Sequence, residues 1–184
     1  MIYLASTSPR RKKILQKLRL RFRVISTSYE EKNETNKPPS VLVKKHALAK
    51  AVSCVSKVRD GIILGADTLV YCKNNIIGKP KNLKEASEIL YHLQGGWHTV
   101  YTGVAILHIK HGRMLKKTVF SERTRVRLRA MNRMAINSYF KKINPLDKAG
   151  AYAIQSKQVN IVEEVRGSLT NAIGLPMERL KRYL

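Results

Sequence analysis

Asp67 stands inside the run Gly61-Ile62-Ile63-Leu64-Gly65-Ala66-Asp67-Thr68-Leu69-Val70-Tyr71, where a carboxylate is out of place. Burial there is costly unless the group pairs with a cation, binds a metal or opens onto a cleft, although a strand-end aspartate held by backbone amides is the plainer reading. The only other aspartates are Asp60 and Asp147, so a carboxylate that serves chemistry has few candidates. Glu31, in a loop, is the next one. Two lysines also sit in unusual company: Lys50 among Ala47, Leu48, Ala49 and Ala51, and Lys79 between Gly78 and Pro80. Near the N-terminus, Leu4-Ala5-Ser6-Thr7-Ser8-Pro9-Arg10-Arg11 turns from a short apolar run through hydroxyls into paired arginines. Backbone N–H groups at a helix start, small hydroxyls and planar guanidinium forks all suit phosphate oxygens. Alone, the segment reads equally well as an ordinary strand-to-helix turn. Together these residues form a set that a triphosphate bound with a divalent metal requires: cations and donors for the phosphates, and carboxylate oxygens for the metal.

Other chemistries are excluded by what is missing. The chain has no Walker A sequence, no glycine-rich dinucleotide turn and no metal-spaced histidine cluster, which removes P-loop ATPases and Rossmann enzymes. Cys54 and Cys72 lack a CxxC spacing and are read as reduced core thiols. His98, beside Trp97 in a strand, is read as a packed or hydrogen-bonded histidine.

The elements that must position these groups alternate. Apolar spacing predicts a strand at 2–5, a helix at 9–20, a strand at 22–25 and a helix capped by Ser40 and running to about Val58. The Asp67 run reads as a strand buried on both faces, followed by an Asn74-Asn75 turn and a return strand at Ile76-Ile77. A helix at 83–93 and strands at 97–107 and 118–128 follow. In the last of these, Arg123, Arg125 and Arg127 face one way and Thr124, Val126 and Leu128 the other. Asn132 caps a helix at 134–142, a strand covers 161–165, and a last helix follows Pro176. The class is α/β with a mixed sheet.

The chain has 184 residues, 43% of them hydrophobic, enough for one domain or two closely packed lobes. No apolar stretch approaches the roughly 20 residues of a membrane span, and charge at Arg10 precedes any signal-peptide core, so no membrane partner and a cytoplasmic location are expected. The formal charge of +24 names polyanions as the partner class. A basic nucleic-acid-binding protein without hydrolase activity is therefore the rival reading, carried by the arginine face. It lacks a recognised module, and aromatic residues make up only 7% of the chain.

The ordered segments Leu4–Arg11, Lys50-Ala51, Gly65-Ala66-Asp67-Thr68, Gly78-Lys79-Pro80, Leu146-Asp147-Lys148-Ala149-Gly150-Ala151-Tyr152, Ile154-Gln155 and Gly174-Leu175-Pro176 resemble the Maf family of nucleotide pyrophosphatases, the septum-formation-inhibitor proteins. The resemblance runs nearly end to end, so residues 1–184 are expected to form a single Maf-like domain. It implies a twisted mixed sheet with flanking helices, in two lobes around a nucleotide cleft. It implies hydrolysis of a nucleoside triphosphate to monophosphate and pyrophosphate, with Asp67 as catalytic base. Glu31, Lys50, Lys79, Ser6 and Arg11 would form the triphosphate and metal site, Asp67 and Glu31 holding Mg2+ or Mn2+. Ser8, Asp147 and Lys148 join them as substrate contacts. Arg10, Thr68 and Gln155 match the branch acting on dTTP and UTP, modified pyrimidine nucleotides being a variant of that substrate. A primary amide such as that of Gln155 complements the carbonyl and N3–H edge of uracil or thymine. A homodimer and weak non-specific nucleic-acid contact through the basic surface are the further partners expected. Asn144 departs from the acid common in the family, which leaves the bonding around Asp147 and Lys148 open; acids common in the family are also replaced near Arg133 and Met134, a departure expected to change surface charge only.

Overall fold

The apolar run around Asp67 forms β3 (Gly61–Cys72), the strand on which the rest is assembled. A computed structural model of the chain describes residues 1–30, 37–156 and 159–184. In chain order the other elements are β1 (Ile2–Ala5), α1 (Pro9–Lys17), β2 (Phe22–Val24), α2 (Pro39–Val52), β4 (Asn75–Ile77), α3 (Leu83–Leu93), β5 (Trp97–Lys110), β6 (Arg113–Leu128), α4 (Arg133–Phe140), β7 (Val162–Arg166), α5 (Leu169–Ile173) and α6 (Met177–Leu180). They form one sheet in the order β2-β1-β3-β5-β6-β7, with β4 added to β3. The β2, β1 and β3 strands are parallel, and β3, β5, β6 and β7 are antiparallel, so the sheet is mixed.

Alternation along β3 separates two faces. Toward one face, Leu64 and Ala66 pack with Val104, Ile106, Ile14, Leu15 and Leu175. Further along that face, Val70 and Cys72 pack with Val100, Val126, Leu90, Leu93 and Ile136. Between these two apolar clusters lies a buried polar layer of Thr102, Thr124 and Asn171. On the opposite face Ile63, Ala105 and Leu107 pack under Ala47 and Ala51 of α2. No helix among the described residues is long and apolar enough to cross a membrane.

Several boundaries differ from the sequence reading. The first helix ends at Lys17 instead of Leu20, because Arg19 takes φ +54° and turns the chain. Pro38, not Ser40, occupies the N-cap of α2, with Pro39 in its first turn, a place where a missing N–H costs nothing. That helix stops at Val52, and only a 3₁₀ turn at Val55–Lys57 continues toward Val58. The hairpin turn after β3 is Lys73-Asn74, both at positive φ (46° and 64°), which matches the strand twist better than a register one residue later. Helix α5 was missed, although Ser168 caps it by accepting from Asn171 N.

His98 is 3% exposed, and its Nε2 lies 2.7 Å from the Tyr152 hydroxyl. Burial pushes its pKa down to about 4 from the usual 6.5. The folded state therefore binds fewer protons than the unfolded state between those values, so this histidine's contribution is intact above 6.5 and lost as pH falls toward 4. Comparing urea unfolding of the native protein with His98→Gln should show up to ~3 kcal/mol of acid-dependent destabilisation that the variant lacks. Identical pH dependence of the two proteins would contradict the assignment.

Candidate active site

The cleft begins where β3 loses its partners on one edge. β1 pairs with it through Gly65, and β4 pairs with it from Val70 onward. Among the described residues, Ala66 to Leu69 have no strand neighbour on that edge. A cavity of about 390 Å³ opens there, within the size range of small-molecule sites. It lies at the carboxyl end of β1 and the start of α1, where parallel-strand architectures place ligands and where helix N–H groups favour anions. No side chain caps α1, which leaves its first N–H groups to other acceptors.

Asp67 and Thr68 point to opposite faces of the sheet, and both line the cavity. On the Asp67 side, α2 sits very close to the sheet because Gly65 and Gly103 carry no side chain. A Cβ at Gly65 would lie 2.2 Å from the Ala47 carbonyl oxygen. The space left by the missing side chain at Gly65 is therefore filled by the helix and offers no room to a ligand. This seating places Lys50 Nζ 2.6 Å from Asp67 Oδ1, in a pair with only 7% and 6% of its residues' surface exposed. The lysine among alanines is thus explained by the aspartate in the apolar strand, since each would be costly alone.

One helical turn before Lys50, His46 also lines the cavity, and its Nδ1 lies 2.8 Å from the Tyr29 hydroxyl. Sequence reasoning missed this pair; the only signal was a histidine in register with Lys50 on α2. The segment before Tyr29 is tied to α2 and the turn after it by Thr27 Oγ1 to Ser53 Oγ at 2.8 Å, and by Lys57 Nζ donating to Ser26 O at 2.7 Å. Glu31 lies outside the described residues.

On the Thr68 side, Arg11 donates from Nε to Gly174 O (2.9 Å), from Nη1 to Ser6 Oγ (3.0 Å) and from Nη2 to Thr68 Oγ1 (3.0 Å). Thr102 Oγ1 gives its one proton to Asn171 O at 2.9 Å, so Thr68 Oγ1 must donate to Thr102 across their 3.0 Å contact. A directed chain thus runs from Arg11 through two threonines into the polar layer between the two apolar clusters, and it holds Arg11 and Ser6 in place. In this structure Arg11 acts as a brace at the cavity wall, its Nε, Nη1 and Nη2 each donating to a protein acceptor.

Arg10 forks onto Asp147, Nη1 to Oδ2 at 2.7 Å and Nη2 to the backbone oxygen at 2.9 Å. Lys148 donates to the other carboxylate oxygen and, at 2.7 Å, to Asn144 O. Burial opposes the Asp147 charge, but the bonds from Lys148 and Arg10 outweigh it and hold the carboxyl below its ordinary value. Asp147 itself stands behind the cavity, positioning Arg10 and Lys148, which do line it. The departure at Asn144 is accommodated: Lys148 uses the backbone oxygen, which any residue supplies, and Asn144 Oδ1 accepts from Leu146 N at 3.0 Å. Ser8, Lys79 and Gln155 also line the cavity. Of the sequence candidates, the structure brings nine to the wall itself, Ser8, Arg10, Arg11, Lys50, Asp67, Thr68, Lys79, Lys148 and Gln155, with Ser6 and Asp147 one contact behind.

The family described as Maf-like protein matches residues 1–184. A dTTP/UTP pyrophosphatase of Gloeobacter violaceus is 40% identical over 179 residues, covering 97% of this chain and 92% of that protein. One from Elusimicrobium minutum is 42% identical over 185 residues, covering 100% and 96%. Among solved structures, the Ham1 protein of Staphylococcus aureus aligns at 15% identity with a TM-score of 0.45, over 87% of this chain and 91% of that one.

Proposed function

The chain belongs to the Maf-like protein family, and from that premise we propose that it is a nucleoside triphosphate pyrophosphatase that cleaves dTTP and UTP to the monophosphate and pyrophosphate. The observation that carries this reading is the meeting, in one cavity, of the buried Asp67–Lys50 pair with Arg10, Arg11, Lys79 and Lys148. Curated relatives bearing that activity match over the full length.

In this reading a water attacks the α-phosphorus while Asp67 accepts its proton, and the bond to the β-phosphate oxygen breaks to release pyrophosphate. Lys50 holds Asp67 Oδ1, which leaves Oδ2 as the atom to take the proton. Lys79 and Lys148 supply positive charge for the departing group. Gln155 makes no hydrogen bond among the described residues, so its amide is free to pair with the uracil or thymine edge. Arg10, held by Asp147, stands at the same rim.

A divalent cation fits the donor set in a limited sense. Among the described residues no three His, Cys, Asp or Glu side chains converge as a metal cage. Mg2+ is usually held by one or two carboxylates together with substrate phosphates, which Asp67 and the triphosphate would supply, with Glu31 as the expected second carboxylate. When bound, such an ion neutralises phosphate charge. A homodimer rests on the family resemblance.

Turnover of dTTP, UTP and 7-methyl-GTP under matched conditions tests the reading. Release of pyrophosphate from the first two should exceed that from the third by about a hundredfold in kcat/KM, since a site built to pair one base edge leaves polar groups unmatched on another. Equal rates would remove the base assignment, and no release with any of the three would favour the binding-protein alternative.

A further inference from the structure

The sheet extends past the start of α2. That helix covers Leu69 and Gly103, and beyond it the same face of the sheet carries Trp97, Tyr71 and Tyr101, all partly exposed. Arg123 and Arg125 project from β6 on this face and are exposed. Aromatic residues are only 7% of the chain, but the fold brings several of them beside these arginines from neighbouring strands. The Arg125 guanidinium lies 4.8 Å from the Trp97 ring and that of Arg166 4.6 Å from it. Tyr71 and Tyr101 meet edge to face at 6.3 Å, between this cluster and the cavity rim.

Arg125 and Arg166 are direct cross-strand partners. Like charges at such positions repel, so stacking on one indole holds together two guanidiniums that would otherwise separate. Arg166 is partly neutralised by Glu164 Oε1 at 2.7 Å, and Arg127 by Glu163 at 3.4 Å. Arg123 and Arg125 pair with no carboxylate among the described residues. Arg123 and Arg125 are two residues apart on one strand, about 6.8 Å, a spacing that successive phosphates of a flexible strand can follow. Guanidinium planes and aromatic rings together are what single-stranded nucleic acids use for phosphate contact and base stacking.

We propose that this open end of the sheet, with Trp97, Arg125 and Arg166 at its centre, binds single-stranded nucleic acid. The site is separate from the cavity and does not depend on the activity proposed for it. A single-stranded polyanion matches both the local excess of guanidinium and the chain's charge of +24. The apolar groups here are rings held against cations, not aliphatic side chains exposed for insertion, which favours bases over lipid.

Trp97 is the only tryptophan, so its fluorescence reports on this site alone. A 12-residue oligoadenylate, chosen because it does not present the uracil edge, should quench that fluorescence on binding the full-length protein. In the Arg125→Ala/Arg166→Ala double variant, affinity measured by anisotropy of a labelled oligoadenylate should fall about tenfold or more, with the slope of log K against log salt reduced by about 1.4, the share of two phosphate contacts on a single strand. Pyrophosphate release from dTTP should stay within about twofold of the native protein. Arg123→Glu, at an exposed position with no partner to strand, should weaken binding without loss of thermal stability, which covers the case of a double variant that folds poorly. Unchanged affinity and salt slope in both variants would overturn the proposal. So would equal competition by inorganic polyphosphate of matched charge, which has no bases to stack, or tighter binding to phosphatidylserine vesicles than to the oligonucleotide.

Discussion

Asp67→Asn should lower kcat for dTTP hydrolysis by roughly 10³-fold, within the range assigned to a lost general base, while the dissociation constant for dTTP changes only severalfold. The amide keeps the shape of the carboxylate, and its oxygen can still accept from Lys50 Nζ, now 2.6 Å from Asp67 Oδ1. What it loses is the capacity to take a proton from the attacking water. Because that interaction exists only in the transition state, kcat and kcat/KM should fall together. Binding measured by calorimetry separates this outcome from a collapsed site. Lys50→Met makes the opposite test of the same pair: it strands a carboxylate that is 6% exposed, and should cost about 3–5 kcal/mol of stability by urea denaturation. Near-native turnover in Asp67→Asn would withdraw the catalytic assignment, even though the buried pair would remain a structural fact.

The parts of this site that were legible in the sequence are those where a residue conflicts with its neighbours. Asp67 in an apolar strand and Lys50 among alanines are each improbable alone, and their contact resolves both. Helix α3 spans the 83–93 expected from the sequence, with Gly95-Gly96 after it, and the structure adds an Asn82 cap that accepts from Glu85 N. Contacts between distant segments left no such trace. Arg10 and Asp147 are 137 residues apart, and nothing in either segment announces that one guanidinium grips the other's carboxylate and backbone oxygen. Tyr29 and His46 were invisible as a pair for the same reason. Helix α5 had its serine cap and a following glycine, but five residues are too few to show a helical period. The ends of β5 and β6 were read short because Lys110, His111 and Arg113 look like a charged loop, whereas backbone pairing carries both strands to the turn at Gly112.

Gly103→Ala should be among the most damaging small substitutions in the chain. A Cβ there would lie 2.2 Å from the Val43 carbonyl oxygen, 2.3 Å from its carbonyl carbon and 2.7 Å from Lys44 N. These are backbone atoms in a helix and cannot swing aside as a side chain would. The backbone conformation at Gly103 suits alanine, and a strand prefers alanine to glycine, so any loss comes from the clash alone. Relief requires α2 to lift from the sheet, at a cost of about 3 kcal/mol or more. Gly96→Ala is the matched control, since its nearest contact would be 3.9 Å, and it should change stability by less than about 1 kcal/mol. Gly103 is also the cross-strand partner of Asp67, and the helix it seats carries Lys50 and His46. Lifting α2 should therefore separate Lys50 from Asp67, so that Gly103→Ala loses kcat as well as denaturation midpoint. A variant that is destabilised yet turns over dTTP at the native rate would show that the close seating of α2 serves the core and that Lys50 reaches Asp67 without it.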